Sequence, residues 1–387
     1  MARTGLNRRG MITVAAAALL GACSIIPKAP QTAPRPPAPT PTPEPSATAL
    51  PSDTALHRVA LLVPLSGENG SVGQSLSNAT TMAILDTGAQ NLRITTYDTA
   101  KGPQEAARQA VADGNKLILG PLLGSNVVSV QAETGRAGIP IVSFSNDTSV
   151  AGPNVFVMGV VPEQSVMRAM NFVHRSGADR FAVLAPSGEY GDRAQKAALA
   201  AAREDRASVV ATERYARSNT SIVSAAERIL ARGGVEGVVI ADGARLSAQG
   251  AGVLKPGGRG DIQIIGTELW SGENAVLRAS ALNGAVFSAV SDAMFPGFVK
   301  SYETRFGSKP YRIATLGYDA VLLTLNIARD WDVGDAFPVS RLRQSGGFTG
   351  IDGAFRFQRN GVVERALEVR RITNGSIEIV SEAPKSF

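Results

Sequence analysis

Two sets of residues in the 387-residue chain could do chemistry. The first is a single thiol, Cys23, which follows the small residues Gly21 and Ala22 at the end of a short apolar run. A thiolate is a strong nucleophile, so this side chain can be modified covalently. The second set consists of small and polar residues that follow apolar, β-branched segments. Their hydroxyl groups and free backbone amides are suited to binding an anion.

Motifs of familiar enzymes are absent from the sequence. It has no Gly-x-Ser-x-Gly, Ser-x-x-Lys, Walker or His-Glu-x-x-His pattern. Two distant histidines, His57 in the expected linker and His174 near a helix end, do not suggest a metal site. The loop at 67–73 has the spacing Gly-x-x-Gly-x-x-Gly instead of the dinucleotide pattern Gly-x-Gly-x-x-Gly. We therefore expect a binding protein without metal or cofactor, and not an enzyme.

The first 22 residues are typical of an export signal. Arg8 and Arg9 precede an apolar run, Met11–Leu20, which is too short to span a membrane. The segment Leu20–Cys23 resembles the lipobox of bacterial lipoproteins, which implies that Cys23 is lipidated and begins the mature chain. A soluble secreted protein with an incidental cysteine is the alternative. The arginine pair also resembles a twin-arginine signal, so the export route stays open.

Residues 23–56 are predicted to be a tether. Ten of the 22 prolines lie between residues 27 and 53. Proline fixes φ and lacks an amide donor, so this stretch favours polyproline II over helix or sheet. Ser24 follows the cysteine, and by resemblance to lipoprotein sorting rules a residue other than aspartate favours the outer membrane. The expected location is the periplasm, with a lipid anchor.

Composition narrows the possible partners. The chain is 44% hydrophobic and 19% charged, which allows an ordinary globular core. Its net charge of +6 includes three arginines of the export signal, and no run of five like charges occurs. A nucleic-acid partner would require a basic stripe, so none is expected. With one cysteine, no disulfide can form within the chain.

From residue 58 onward, short apolar runs alternate with amphipathic segments. The runs are continuous instead of alternating, which indicates parallel strands covered on both faces. Predicted strands are Val59–Val63, Leu92–Tyr97, Lys116–Gly120, Ile139–Phe144, Val155–Val160, Phe181–Ala185, Ser208–Thr212, Gly237–Ala241, Ile262–Gly266 and Ala285–Val290. Predicted helices are Gly73–Leu85, Gln104–Ala112, Asn126–Thr134, Gln164–Arg175, Asp192–Glu204, Ile222–Arg232, Phe295–Phe306 and Ile313–Asp330. Closing antiparallel strands are predicted at 355–357 and 366–372.

This pattern predicts an α/β fold with two Rossmann-like lobes, because about 330 residues exceed one core of common size. The chain is expected to visit the first lobe, cross to the second, return, and end in the second. Lobe 1 is assigned to residues 57–158 and 286–355. Lobe 2 is assigned to residues 159–285 and 356–387.

Small and polar residues at the carboxyl ends of the predicted strands are the candidate ligand site, because that edge lines the crevice of an open α/β sheet. The alternative is that they only cap helices and form turns. The candidates in the first lobe are Ser66, Gly67, Gly124, Ser125, Ser145, Asn146 and Asp147.

These loops resemble those of type 1 periplasmic binding proteins of the leucine/isoleucine/valine-binding family. The resemblance covers most of residues 58–375. It extends through Ala137–Ser143, Glu189–Asp192, Gly266–Glu268, Gly317–Ala320 and Gly350–Gly353. It implies two parallel-sheet lobes joined by a three-crossover hinge, with a small-molecule ligand closed between them.

Transport members of that family bind an amino acid through a serine, a threonine, a tyrosine and a glutamate. The resemblance places the last two at Tyr190 and Glu268, and the serine at Gly124 or Ser125. The threonine position falls on Asp147, whose charge would repel a carboxylate and argues against plain amino-acid binding. Trp270 is a candidate to stack on a ring or sugar, with partly buried packing as the alternative.

Two functions remain open. A lipid anchor and proline-rich tether on such a domain resemble the outer-membrane lipoprotein activators of penicillin-binding proteins, which stimulate peptidoglycan synthesis by contact with a synthase. The alternative is a substrate-binding lipoprotein that delivers an amino acid or similar molecule to an ABC permease. The best-known activators also carry a helical-repeat domain, which has no counterpart in this sequence.

Overall fold

A computed structural model describes residues 56–256 and 260–387. The predicted signal, Cys23 and nearly all of the tether lie outside these residues. The first sheet is entirely parallel, in the order β2-β1-β3-β4-β5. Its strands are β1 His57–Val63, β2 Leu92–Asp98, β3 Leu117–Leu119, β4 Ile141–Ser143 and β5 Val155–Val157.

Alternate residues of β1 explain why this sheet is covered on both faces. Val59, Leu61 and Val63 pack in one apolar cluster with α1 and α10, whereas Ala60 and Leu62 pack in another with α2 and α3. All five are fully buried, as the continuous apolar run predicts. The helices of this lobe are α1 Gly70–Thr87, α2 Pro103–Ala112, α3 Gly124–Thr134, α9 Phe295–Phe306 and α10 Thr315–Ile327.

The second sheet has seven strands in the order β15-β14-β10-β9-β8-β6-β7. Strands β6 to β10 run parallel, and β14 is antiparallel to both of its neighbours. The strands are β6 Arg180–Pro186, β7 Ser208–Tyr215, β8 Gly237–Ile240, β9 Gln263–Ile265, β10 Val286–Val290, β14 Leu367–Thr373 and β15 Ser376–Ser381.

The central strand β6 divides its side chains in the same way as β1. Phe181, Val183 and Ala185 join a cluster with α4 and α5, and Ala182 and Leu184 join one with α6 and α7. The helices are α4 Pro162–Arg175, α5 Glu189–Glu204, α6 Asn219–Arg232, α7 Ala244–Leu254 and α8 Asn274–Arg278. Helices α7 and α8 are not among those that the sequence pattern predicts.

Two lobe boundaries differ from the expected ones. Strand β10 was assigned to lobe 1 from residue 286, yet it pairs with β9 and β14 of the second sheet. A small antiparallel sheet formed by β11 Phe348–Gly350, β12 Gly353–Phe357 and β13 Val363–Arg365 packs its phenylalanines into the core of lobe 1. Lobe 2 therefore continues through Val290, and lobe 1 continues through Arg365.

The chain crosses between lobes at three places, after β5, after β10 and after β13, as the three-crossover hinge predicts. Two buried arginines connect these crossovers. Arg365 donates to the carbonyl oxygen of Met158 at 2.7 Å, and Arg370 donates to that of Val290 at 2.6 Å. Such charge-assisted bonds hold neighbouring crossovers together.

Candidate functional site

A cavity of about 360 Å³ lies between the two lobes. Its lining comes from the loop after β4, the turn after β9, the end of β10, the turn before α10, and the β11–β12 connection. The carboxyl ends of parallel strands from both sheets thus meet around one space, which is where open α/β sheets bind ligands.

The lobe 1 side of this cavity contains Ser145 and Asn146. The Ser145 hydroxyl accepts a hydrogen bond from the Asp147 amide at 3.0 Å. The Asp147 carboxylate in turn accepts from the Ser149 amide at 2.9 Å and from its hydroxyl at 2.6 Å. A Cβ on Gly124 would lie 2.8 Å from an Asp147 carboxylate oxygen, so glycine leaves space for this acid at the start of α3.

The lobe 2 side contains Glu268, which belongs to a hydrogen-bonded cluster with Tyr190 and Thr267. The Tyr190 hydroxyl lies 2.9 Å from Thr267 Oγ1 and 2.9 Å from Glu268 Oε1. Desolvation raises the pKa of Glu268 to about 7, against a smaller lowering by the Tyr190 hydrogen bond. Burial and the nearby carboxyl raise the pKa of Tyr190 well above its ordinary value. Tyr190 is thus a permanent donor, and Glu268 is easily neutralised.

The hinge side contains an arginine that the sequence analysis missed. Arg312 donates to Asp352 Oδ1 at 2.7 Å and to Asp292 Oδ1 at 3.1 Å, and its guanidinium carbon lies 4.3 Å from the Phe295 ring centre. Asp352 also accepts from the Thr315 hydroxyl at 2.9 Å. Arg312 and Asp352 are 40 residues apart, so no local spacing could have indicated this pair.

One arginine of lobe 2 reaches across to lobe 1 beside the cavity. Arg193 on α5 donates to both carboxylate oxygens of Glu163, at 2.7 and 2.8 Å, and to the carbonyl oxygen of Asn146 at 2.5 Å. Only 13% of the Arg193 side chain is exposed. Arg193 and Glu163 both belong to lobe 2, so this contact links the lobes through one backbone oxygen, that of Asn146.

The predicted site residues fall into three groups. Ser145, Asn146 and Glu268 line the cavity, and Tyr190 bonds Glu268. Gly124 and Asp147 lie against each other beside it. Ser66, Gly67 and Ser125 are exposed and are not among the residues that line the cavity.

Trp270 lies in the core of lobe 2 instead of facing a ligand. It is fully buried, and its indole N–H donates to the Asp242 carbonyl oxygen at 3.0 Å. Trp270 is therefore a core residue, in agreement with the alternative that it serves in packing instead of stacking on a ligand. His57, placed in the linker by the sequence analysis, is the buried first residue of β1 and stacks on Trp331.

Two further observations concern the described residues only. Among them, no cluster of three or more His, Cys, Asp or Glu side chains is arranged to hold a metal ion. None of their helices is long and apolar enough to span a membrane.

Comparison with known proteins identifies the family. A sequence model described as periplasmic binding protein matches residues 57–376. An uncharacterized protein of Rickettsia prowazekii, RP748, is 28% identical over 174 residues, which are 44% of this chain and 46% of that protein. The penicillin-binding protein activator LpoA of Glaesserella parasuis is 28% identical over 146 residues, 37% of this chain and 25% of the activator. The chain thus aligns with less than half the length of either relative.

Among solved structures, a putative branched-chain amino acid ABC transporter protein from Rhodospirillum rubrum shares the fold. Its TM-score is 0.75 at 18% identity, and the match covers 84% of this chain and 100% of the other. The two lobes, one with a parallel sheet and one with a mixed sheet, agree with this likeness of fold. Because the family's sequence model matches nearly the whole folded part, the chain belongs to the periplasmic binding protein family.

Proposed function

We propose that this protein is a lipid-anchored periplasmic activator that regulates peptidoglycan synthesis by direct contact with a penicillin-binding synthase. Its similarity to the LpoA activator supports this function. The export signal, the lipobox-like Cys23 and the proline-rich tether support a membrane anchor with long reach. Contact with a synthase, unlike import, does not require the lobes to capture and release an amino acid.

One observation carries the proposal: the polar groups that would bind an amino acid in a transport protein are bonded to each other here. Tyr190 is bonded to Thr267 and Glu268, and the Asp147 carboxylate lies against Gly124. An amino acid's carboxylate at that edge would meet the negative charge of Asp147. The arrangement supports a domain that has kept the fold of the binding proteins without their amino-acid site.

The experiment is capture of penicillin-binding proteins from solubilised membranes of the source bacterium. Synthases are first labelled with fluorescent penicillin, so that any retained band is identified by its active-site label. We expect the purified full-length protein to retain a labelled bifunctional synthase. Retention of no labelled synthase, from fresh membranes and at low salt, would contradict the activator function.

Cys23→Ala is the matched control for the anchor. Because the proposed contact is made by the folded domain, this variant should capture the same synthase in detergent. In cells it should move from the membrane fraction to the soluble periplasmic fraction. If the wild-type protein is already soluble, the anchor is wrong while the contact function remains open to test.

Import of a small molecule is the second candidate, and the cavity of about 360 Å³ between the lobes favours it. An importer's ligand should raise the melting temperature, because binding to the folded state stabilises by RT ln(1 + [L]/Kd). A panel of amino acids and short peptides tests this. No shift at millimolar concentrations would contradict an amino-acid importer.

A further inference from the structure

The second crossover between the lobes contains a carboxylate that is bonded to both of them. Asp292 lies between β10 and α9, and its two oxygens accept from different arginines. Arg312, which precedes α10 in lobe 1, donates to Oδ1 at 3.1 Å, and Arg370 on β14 of lobe 2 donates to Oδ2. Charge-assisted bonds of this kind are about twice as strong as neutral ones. One side chain thus joins the two lobes at the hinge through two ion pairs.

Neither arginine depends on Asp292 for a countercharge. Arg312 donates to Asp352 of lobe 1 at 2.7 Å, and Arg370 donates to Glu368 of lobe 2 at 2.6 Å. The side chains of both acids are only 2% exposed. Each lobe therefore contains a buried ion pair of its own, and loss of the Asp292 charge leaves neither arginine without a carboxylate. The bonds of Asp292 join the lobes and are not required to neutralise either one.

The position of Asp292 makes its bonds sensitive to rotation of the lobes. Because both guanidinium groups bond one carboxylate, they must stay within reach of the same two oxygens. Rotation about the crossovers carries Arg312 with lobe 1 and Arg370 with lobe 2, so it breaks one of the two ion pairs. The Asp292 side chain is 37% exposed, whereas that of Arg370 is 2% exposed. The carboxylate can therefore be released to solvent while both arginines keep their buried partners.

We propose that Asp292 is a latch whose two ion pairs hold the lobes at one opening angle when no ligand is bound. The angle is then set by the chain's own charges, and the surfaces that the two lobes present to a partner keep a fixed relation. The family resemblance, in contrast, implies lobes that close on a ligand. The inference goes beyond the proposed contact with a synthase and does not depend on it.

Distances between two spin labels, one in each lobe, test the latch. Glu68→Cys in the loop after β1 and Ser187→Cys in the loop after β6 place the labels at exposed positions on the two sides of the cleft. The full-length chain also carries Cys23→Ala, so that no other thiol reacts. Pulsed electron paramagnetic resonance without added ligand should give one narrow distance distribution. Two separated peaks, from an open and a closed cleft, would overturn the proposal.

Asp292→Asn in the same labelled chain removes the latch. Asparagine has one acceptor oxygen, and its amide nitrogen cannot accept, so the side chain can bond only one of the two arginines. The distance distribution should become at least about twice as wide, because the lobes then rotate about the hinge. An unchanged distribution in the folded variant would overturn the proposal.

Asp330→Asn is the matched control. It makes the same substitution in an ion pair with Arg341 that lies within lobe 1, so the distance distribution should stay as it is without this change. An equal widening in this control would contradict the role given to Asp292.

Urea unfolding separates the latch from a role in supporting the fold. Because Arg312 and Arg370 keep their own carboxylates, the urea midpoint of Asp292→Asn should shift by less than about 0.5 M. A larger fall, or failure of the variant to fold, would show that Asp292 supports the folded state and would overturn its role as a latch. Synthase capture is measured separately, so either proposal can fail without the other.

Discussion

The first strand–loop–helix unit of each lobe is built in the same way. In lobe 1, Pro64 follows β1 and Gly73 brings α1 against it; in lobe 2, Pro186 is the last residue of β6 and Gly191 brings α5 against it. A Cβ would lie 1.7 Å from the Pro64 carbonyl oxygen at Gly73, and 1.8 Å from that of Pro186 at Gly191. Both lobes therefore use glycine for close packing of the helix onto the end of its strand.

The two sheet edges differ in what they present to the cleft. In lobe 1, Asn146 is exposed and Asp147 only partly buried, so that edge carries solvated polar groups. In lobe 2, the Glu268 carboxyl is desolvated and bonded to Tyr190. The two lobes share a backbone architecture, so a few loop residues determine the chemistry of each sheet edge. Ionising the desolvated Glu268 carboxyl costs free energy at the lobe 2 edge, whereas the lobe 1 edge has no such buried acid.

The largest expected effect tests the shared architecture. Gly73→Ala and Gly191→Ala each place a methyl group against a backbone carbonyl that cannot move away without displacing its strand. We expect each to lower the free energy of unfolding by about 3 kcal/mol, measured by urea titration. Gly297→Ala, in α9 with open space around its Cβ position, is the control and should stabilise by up to about 1 kcal/mol. If only one of the two variants lowers the free energy of unfolding by this much, the two lobes do not depend on the glycine in the same way.

Glu268→Gln tests the difference between the edges. The folded-state pKa of about 7 is above the ordinary value of 4.5, so the stability present below pH 4.5 is lost as the pH rises through 7. At pH 8 the variant should therefore be more stable than wild type by about 2–3 kcal/mol, and at pH 4 the two should be nearly equal. Urea titrations across this range measure the difference. Glu227→Gln, at an exposed carboxylate of α6, controls for a lost charge.

Arg193→Ala tests whether the lobes are linked beside the cavity. The variant leaves Glu163 without its bidentate partner and removes the donor to the Asn146 carbonyl oxygen. We expect a loss of about 2 kcal/mol and a larger radius of gyration by small-angle X-ray scattering, because the cleft opens. Arg228→Ala breaks an exposed pair within lobe 2 and should cost about 0.5 kcal/mol without changing the scattering. An unchanged radius for Arg193→Ala would show that the hinge alone sets the cleft.

Much of the fold follows from local sequence pattern. Buried parallel strands such as β1 and β6 have continuous apolar runs, and this signal predicted ten strands and the main helices within a few residues. Helix α7 was not predicted because Gly250 interrupts its apolar face. A Cβ at this position would lie 3.3 Å from the Ile222 side chain, so the glycine allows close packing against α6. Its helical state depends on packing against α6 and β6, which no local pattern contains.

The site was less predictable for a related reason. Position after a strand indicated Ser145 and Asn146, and the family resemblance indicated Glu268; all three line the cavity. Arg312 lies before a helix, and its role depends on carboxylates brought together by the hinge. Trp270 lies two residues after Glu268, yet the short turn that places Glu268 beside the cavity buries Trp270 in the core of lobe 2.

Asp147→Thr has the smallest expected effect on stability, and it directly tests the charge that the lobe 1 edge presents to a ligand. Threonine can still cap the short turn at 148–150, so the cost should be about 0.5 kcal/mol. N-acetylleucine, an anion with a branched aliphatic side chain, is the probe, and removing the carboxylate beside Gly124 should raise its affinity about tenfold because the anion no longer meets a like charge. Asp147→Glu keeps the charge and should show no gain in calorimetry. If threonine also gives no gain, the Asp147 carboxylate does not repel a carboxylate ligand, and the lobe 1 edge is not what argues against an amino-acid site.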